Sequence, residues 1–288
     1  MKKFIIFKLC LVFVFSFAFC VHAQDAPKVE DFKLNSKLMS REMPYRVIFP
    51  SKYDQKDEKT QYPVLYLLHG LTGHFSNWSE KTKLIEFSRN YKFVIVLVEG
   101  DDGWYSDSIS APNDKYESYI IQELIPTIEA KFRAKNNREN RVMAGLSMGG
   151  YGSLKFGLKY PDKFVLVGSF SGALGAASFS VKTLGNSWKA LTDSIDKVYG
   201  ADDSQTRKDN DIYKMVREMP AEKVKSLPFI YLDCGTEDGL VQSNREFNAL
   251  LVGKKIPHEF RELPGKHDWI FWNSQIEEFL QVTTKFVK

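Results

Sequence analysis

The sequence predicts an α/β protein with a mostly parallel central sheet, helices on both faces and a helical insertion. Three observations carry this prediction. Short apolar runs recur along the chain, stretches of helical periodicity separate them, and one late segment breaks the alternation. The composition, 43% hydrophobic and 26% charged over 288 residues, is that of a globular chain. At this size roughly three quarters of the unfolded surface is buried on folding, so a single domain suffices.

Taken in order, the chain opens on a targeting signature rather than on structure. Met1-Lys2-Lys3 is positive, Leu9 to Val21 is apolar apart from Ser16, and Val21-His22-Ala23 ends in small residues suited to a signal peptidase. The run is short against the roughly 20 apolar residues of a membrane span. Cys20 follows Phe17-Ala18-Phe19, which is not a lipobox. Residues 1–23 therefore read as a cleaved signal peptide and 24–288 as one domain, exported to the periplasm or the medium, with no stable membrane insertion after cleavage. The formal charge of +4 falls to near neutrality once Lys2, Lys3 and Lys8 are gone, which speaks against a nucleic-acid partner. Cys10 and Cys20 leave with the signal, so Cys234 has no intramolecular disulfide partner.

The spacing next predicts strands at Tyr45–Phe49, Val64–Leu68, Phe93–Val98, Arg141–Ala144, Phe164–Ser169, Phe229–Asp233 and Glu259–Glu262. Several are almost continuously apolar, as strands buried on both faces should be. Helical periodicity falls at Trp78–Arg89, Ser118–Phe132, Gly149–Tyr160, Asn244–Lys254 and Trp269–Phe286. From 178 to 227 no strand pattern appears and charge crowds into Asp202–Asp211, which marks a helical, cap-like insertion.

The chemistry is concentrated at Gly145-Leu146-Ser147-Met148-Gly149-Gly150. This G-x-S-x-G directly follows a strand and opens a helix, the context of a nucleophile elbow. A serine hydroxyl needs a base to remove its proton. His22 departs with the signal, His258 begins a strand, His74 sits in a polar loop and His69 ends a buried strand. His267 follows the last strand across Leu263-Pro264-Gly265-Lys266, at the carboxyl edge of the sheet where the nucleophile also emerges. The orienting acid belongs after Phe229–Asp233. Asp233 is too deep in its strand, and of Glu237 and Asp238 the latter is favoured, a turn past the strand end. Two oxyanion donors are expected: the N–H of Met148, after the nucleophile, and the N–H of Leu71 in His69-Gly70-Leu71-Thr72-Gly73. His69 itself holds that loop. No metal or other cofactor is expected, since His267-Asp268 alone makes no ligand set.

From about Asp31 onward the chain resembles the esterase D-like branch of the α/β hydrolases. The branch includes S-formylglutathione hydrolases, tributyrin esterases, feruloyl and acetyl-xylan esterases and mycolyltransferases. The resemblance rests on Tyr62-Pro63-Val64-Leu65-Tyr66-Leu67-Leu68-His69-Gly70, Trp104-Tyr105-Ser106-Asp107, Tyr119 to Pro126, Gly145 to Gly152, Asp233 to Asp238, and Gly265-Lys266-His267-Asp268-Trp269. It implies Ser147, His267 and Asp238 as a triad with Leu71 and Met148 as oxyanion donors. It also implies that Trp104, Tyr105 and Trp269 approach the acyl or alcohol pocket. The expected activity is that of a serine carboxylesterase acting on short acyl, acetyl or feruloyl esters, on small molecules or linked to polysaccharide. An S-formylglutathione hydrolase-like thioesterase, a siderophore esterase and an acyltransferase on the same triad are alternatives. An intact Ser, His and acid argue against a non-catalytic binding protein. A peptidase of the prolyl-oligopeptidase kind would need a propeller domain that this chain cannot hold.

Overall fold

The computed structural model describes residues 26–57 and 59–288, so the expected signal peptide lies outside them. Eight strands form one sheet: β1 (Val29–Ser36), β2 (Arg41–Ile48), β3 (Val64–Leu68), β4 (Val94–Val98), β5 (Arg141–Leu146), β6 (Leu166–Phe170), β7 (Phe229–Gly235) and β8 (His258–Leu263). Their order across the sheet is β1-β2-β4-β3-β5-β6-β7-β8. From β4 to β8 every pairing is parallel, while β1 pairs with β2 and β2 with β4 in antiparallel fashion. Every residue of β3, β4, β5 and β6 is buried, which is why β3 and β4 read as unbroken apolar runs and β5 and β6 as nearly so.

Alternating side chains divide between two cores. One holds Tyr66, Val96 and Met143 with the helix Met148–Lys159, and the other holds Leu65, Ile95 and Val142 with the helix Trp269–Thr283. Close packing sets the small residues. Gly168 of β6 lies under the Phe279 ring, where a Cβ would come within 2.5 Å of its Cε2. Cys234 is a free, buried thiol.

Three features depart from the sequence expectation. β1 has no apolar run to mark it in the sequence; it is an edge strand whose outer residues are polar and whose Phe32 stacks on Tyr45 of β2. The helix expected over Trp78–Arg89 is two short ones, Asn77–Lys81 and Leu84–Ser88. Between them Thr82 is extended, its Oγ1 takes the Leu84 N–H, and Asn273 Oδ1 takes the Lys83 N–H at 2.7 Å. The third is a π turn at Ile120–Leu124, inside the expected Ser118–Phe132 helix. Pro126 supplies no N–H to that ladder, which is where an α-helical register is weakest.

Residues 178–227 contain helices and no strand, among them Lys189–Tyr199, Gln205–Asn210 and Ile212–Arg217. None of the described helices is long and apolar enough to cross a membrane.

Candidate active site

Parallel strands deliver their following loops to one edge, and the singled-out residues converge there. β5 ends at Leu146 and a helix begins at Met148, leaving Ser147 alone in the turn at φ 53°, ψ −113°. Such a conformation costs a non-glycine residue about 1–3 kcal/mol. Its neighbours hold it. The Ser147 N–H donates to Phe170 O at 2.9 Å, and its carbonyl accepts the Ala173 N–H at 3.0 Å. A Cβ on Gly149 would lie 2.6 Å from the Leu68 carbonyl oxygen, so only glycine lets the helix start this close to β3.

His267 arrives from the loop after β8. Its Nε2 lies 3.0 Å from Ser147 Oγ, and its Nδ1 lies 2.7 Å from Asp238 Oδ2. The ring stands perpendicular to that of Trp272, 4.9 Å between centroids. Asp238 is buried, and its Oδ1 accepts the Leu240 N–H at 2.8 Å. Burial alone would raise this carboxyl, but the hydrogen bonds with His267 and the Leu240 N–H outweigh it and hold the group below its ordinary value. The loops carrying the acid and the histidine are stitched together. Thr236 N–H donates to Leu263 O at 2.8 Å, and Glu237 N–H to Gly265 O at 2.9 Å. That stitching turns the Glu237 side chain outward, 60% exposed and 3.8 Å from Lys266, so Asp238 and not Glu237 reaches the imidazole. Asp233 stays in β7, fully buried.

The glycine-rich loop after β3 abuts the nucleophile: a Cβ on Gly70 would lie 3.4 Å from Ser147 Cβ. Neither the Leu71 nor the Met148 N–H has an acceptor among the described residues, and Met148 opens its helix. The loop is fixed from below by His69. Its ring nitrogens face Gly70 O and Glu99 Oε1, each at 2.8 Å, and its carbonyl accepts the Tyr105 hydroxyl at 2.9 Å. Burial pushes the Glu99 carboxyl up, yet the His69 contact prevails and brings it down to about 2. Glu99 also accepts the Phe75 and Asp101 N–H groups. On the outer side, Asp102 Oδ1 takes the Thr72 N–H at 2.6 Å.

Glu99 and Asp102 escaped the sequence reading. Their signal was the run Glu99-Gly100-Asp101-Asp102-Gly103, charge and glycine directly after a buried strand. The aromatic residues are placed differently from one another. Trp104 and Tyr105 are buried, and the Trp104 Nε1–H donates to Ser194 Oγ at 3.0 Å, so both have their polar atoms engaged in packing. Trp269 is half-buried, edge-on to Trp78 and Trp272, with Lys81 Nζ 5.3 Å above its ring. His74 pairs with Ser76 and His258 with Asn248, and neither is bonded to Ser147.

Comparison with known proteins places the chain among esterases. The Esterase family model, described as "Putative esterase", matches residues 36–281. An acetyl esterase of Caldicellulosiruptor saccharolyticus is 33% identical over 239 residues, covering 82% of this chain and 89% of that one. Among solved structures, a ferulic acid esterase superposes with a TM-score of 0.76 at 27% identity, covering 91% of this chain and 99% of its own. Serine hydrolase F of Staphylococcus aureus, a fluorophosphonate-binding protein, shares the fold at a TM-score of 0.78 and 24% identity, over 90% of this chain and 98% of its own.

Proposed function

The chain belongs to the esterase family of α/β hydrolases and is a carboxylesterase, and from that premise we propose that Ser147, His267 and Asp238 carry its reaction as a catalytic triad. The observation behind this reading is the relay itself: Ser147 Oγ, His267 Nε2 at 3.0 Å, and Asp238 Oδ2 at 2.7 Å from the other ring nitrogen. His267 takes the Ser147 proton as the oxygen attacks the ester carbonyl. The Leu71 and Met148 N–H groups receive the oxyanion, a role worth about 3 kcal/mol per donor in comparable sites. His267 then hands its proton to the departing alcohol, and water releases the acyl group by the same steps. Asp238 stays ionised throughout, holding the imidazole in the tautomer whose Nε2 accepts.

The substrates we assign are acetyl and feruloyl esters of hydroxyl-rich alcohols, supported by the likeness to an acetyl esterase and a ferulic acid esterase. Residues 1–23 act as an export signal in this reading, and 24–288 as one catalytic domain. Residues 178–227 serve as its cap, supported by the bond from Trp104 to Ser194 on the helix Lys189–Tyr199. The test is p-nitrophenyl acetate hydrolysis by the purified protein beside Ser147→Ala. The substitution is expected to lower kcat by several orders of magnitude, on the order of 10⁶. A variant that retained wild-type turnover would remove Ser147 from the reaction.

A further inference from the structure

The parallel strands begin at the edge of the sheet opposite Ser147, and that edge is basic. Segments 89–93, 132–140, 160–165, 218–228 and 254–257 lead from a helix end into β4, β5, β6, β7 and β8, and 284–288 follows the last helix. Together these six segments hold twelve Lys and Arg against four Asp and Glu, in a chain that is close to neutral beyond residue 23. The loop 49–63, at the same edge, is balanced, with three of each sign. From β4 to β8 the strand entries run in the order β4-β3-β5-β6-β7-β8, so the cations spread over a face roughly 24 Å long.

Pairing separates this edge from the other. None of the twelve cations is paired with an Asp or Glu side chain among the described residues, although their neighbours Arg141 and Lys159 are, with Glu129 and Glu117. Arg133 Nε donates instead to the Thr60 carbonyl at 2.7 Å, and Arg138 Nε to the Pro161 carbonyl at 2.9 Å. These bonds join neighbouring loops and leave the charge uncompensated. On the Ser147 edge Arg41 and Lys197 share Asp114, at 3.0 and 3.2 Å, Arg207 is held by Asp196, and Lys266 lies 3.8 Å from Glu237. A helix dipole favours cations in its last turn. That does not account for Lys92, Arg138, Lys163 and Lys288, which lie four to seven residues beyond their helices. Uncompensated like charges on one face repel one another in the folded state, so such a face marks a surface suited to an anionic partner.

Two observations favour a bilayer as that partner. Lys92, Lys135 and Lys288 line a cleft of about 320 Å³ together with Tyr91, Phe93 and Val287, and the Tyr91 and Phe93 rings stack 5.6 Å apart. Cations beside stacked rings fit the glycerophosphate end of a phospholipid, with phosphate against the ammonium groups and the first methylenes against the rings. A soluble polyanion has no use for the rings. The chain also enters the fold here: Val29 lies opposite Ile48, which lies opposite Ile95 near the start of β4. Residues 1–25, with the apolar run Leu9 to Val21, therefore join the domain on the basic face. We propose that this edge is a docking surface for an anionic phospholipid bilayer, which holds the domain peripherally with the Ser147 edge turned toward water. The proposal does not depend on the triad.

All eight strands and both cores lie within residues 26–288, so the test uses the chain from Gln24 onward. Its sedimentation with vesicles of phosphatidylglycerol and phosphatidylcholine is compared with that on phosphatidylcholine alone and with retention on heparin. The wild type should bind the anionic vesicles, leave them as salt rises, and ignore the zwitterionic ones. Each cation at an anionic surface contributes about fivefold, so Lys92→Gln, Lys223→Gln, Lys255→Gln and Lys285→Gln combined should weaken binding on the order of 100-fold. Lys37→Gln, Lys182→Gln, Lys189→Gln and Lys208→Gln combined remove the same charge from the opposite edge and should change it less than about threefold. Tyr91→Ser should weaken vesicle binding about fivefold and leave heparin retention unchanged. Bound and free wild type should hydrolyse p-nitrophenyl acetate at the same rate. No binding to anionic vesicles, or equal losses in the two combined variants, overturns the surface. Heparin retention together with vesicle binding that ignores Tyr91→Ser would assign it to a soluble polyanion instead. Hydrolysis lost on the vesicles but kept in solution would overturn the orientation.

Discussion

At the scale of single residues, the sharpest question was which carboxylate serves His267. Asp238 sits at 2.7 Å from Nδ1, while Glu237 points to solvent beside Lys266. Asp238→Asn preserves the shape but favours the wrong imidazole tautomer, and kcat should drop about 10⁴-fold by analogy with serine proteases. Glu237→Gln should stay within about twofold of wild type, because only a weak surface ion pair is lost. Steady-state kinetics on p-nitrophenyl acetate for the two variants decide the matter; the reverse pattern would move the acid to Glu237. A tandem Glu-Asp on one turn is legible as a pair of candidates from sequence. The choice between them depends on hydrogen bonds from Thr236 and Glu237 to a loop some thirty residues later.

At the scale of elements, the active edge depends on loops that touch through backbone. Gly235, the last residue of β7, packs directly on the carbonyl of Gly265 in the loop that carries His267. A methyl group there would collide with backbone that has no rotamer to escape into. Gly235→Ala should therefore cost about 1–3 kcal/mol of stability and displace His267 from Asp238. We expect a lower midpoint in urea and, in the protein that remains folded, a loss of kcat of at least about tenfold, since displacement of a catalytic group by about 1 Å costs up to 10²-fold. Unchanged kcat with reduced stability would show that the two loops move apart without separating the acid from the base. The elbow was readable because its glycines flank a single serine between a strand and a helix. Gly235 carries no such local signature, and its partner is far along the chain.

Over the whole molecule, a buried polar network ties the nucleophile's helix to its surroundings. Lys155, fully buried on the helix Met148–Lys159, donates to Glu117 at 2.8 Å and to the Tyr105 carbonyl at 2.8 Å. Ser106 bonds the Tyr199 hydroxyl at 2.7 Å, which bonds Tyr151 at 2.8 Å, so residues 178–227 join the same network. Burial drives the Glu117 carboxyl up, but Lys155 and Lys159 prevail and hold it at about 2. A carboxyl lowered on folding contributes stability that is complete above its unfolded value near 4.5 and is lost as pH falls toward about 2. Glu99, also held at about 2, acts in the same direction. Urea titrations should therefore show a stability plateau near neutrality and a steep decline between about pH 4.5 and 2. Glu117→Gln should cost about 3–5 kcal/mol at pH 7, because it leaves the Lys155 charge buried without its partner. It should also flatten the acid decline. A variant with wild-type stability at pH 7 and the same acid limb would show that the pair contributes nothing to folding.

By itself the sequence determined the mostly parallel sheet and its buried strands, and it singled out Ser147 and His267 as candidates for nucleophile and base. These features are written in short-range patterns: apolar runs for strands covered on both faces, and glycines at a turn that side chains would block. Only the tertiary structure set Asp238, and not Glu237, against the His267 ring, paired β1 with β2 despite its polar pattern, and buried Trp104 and Tyr105. It also set Glu99 beneath His69 and brought Arg41, Asp101 and Lys197 around one cleft. Each of those outcomes depends on groups distant in the chain meeting at one sheet edge, where hydrogen bonds and charge pairing, rather than hydrophobic periodicity, select the partner.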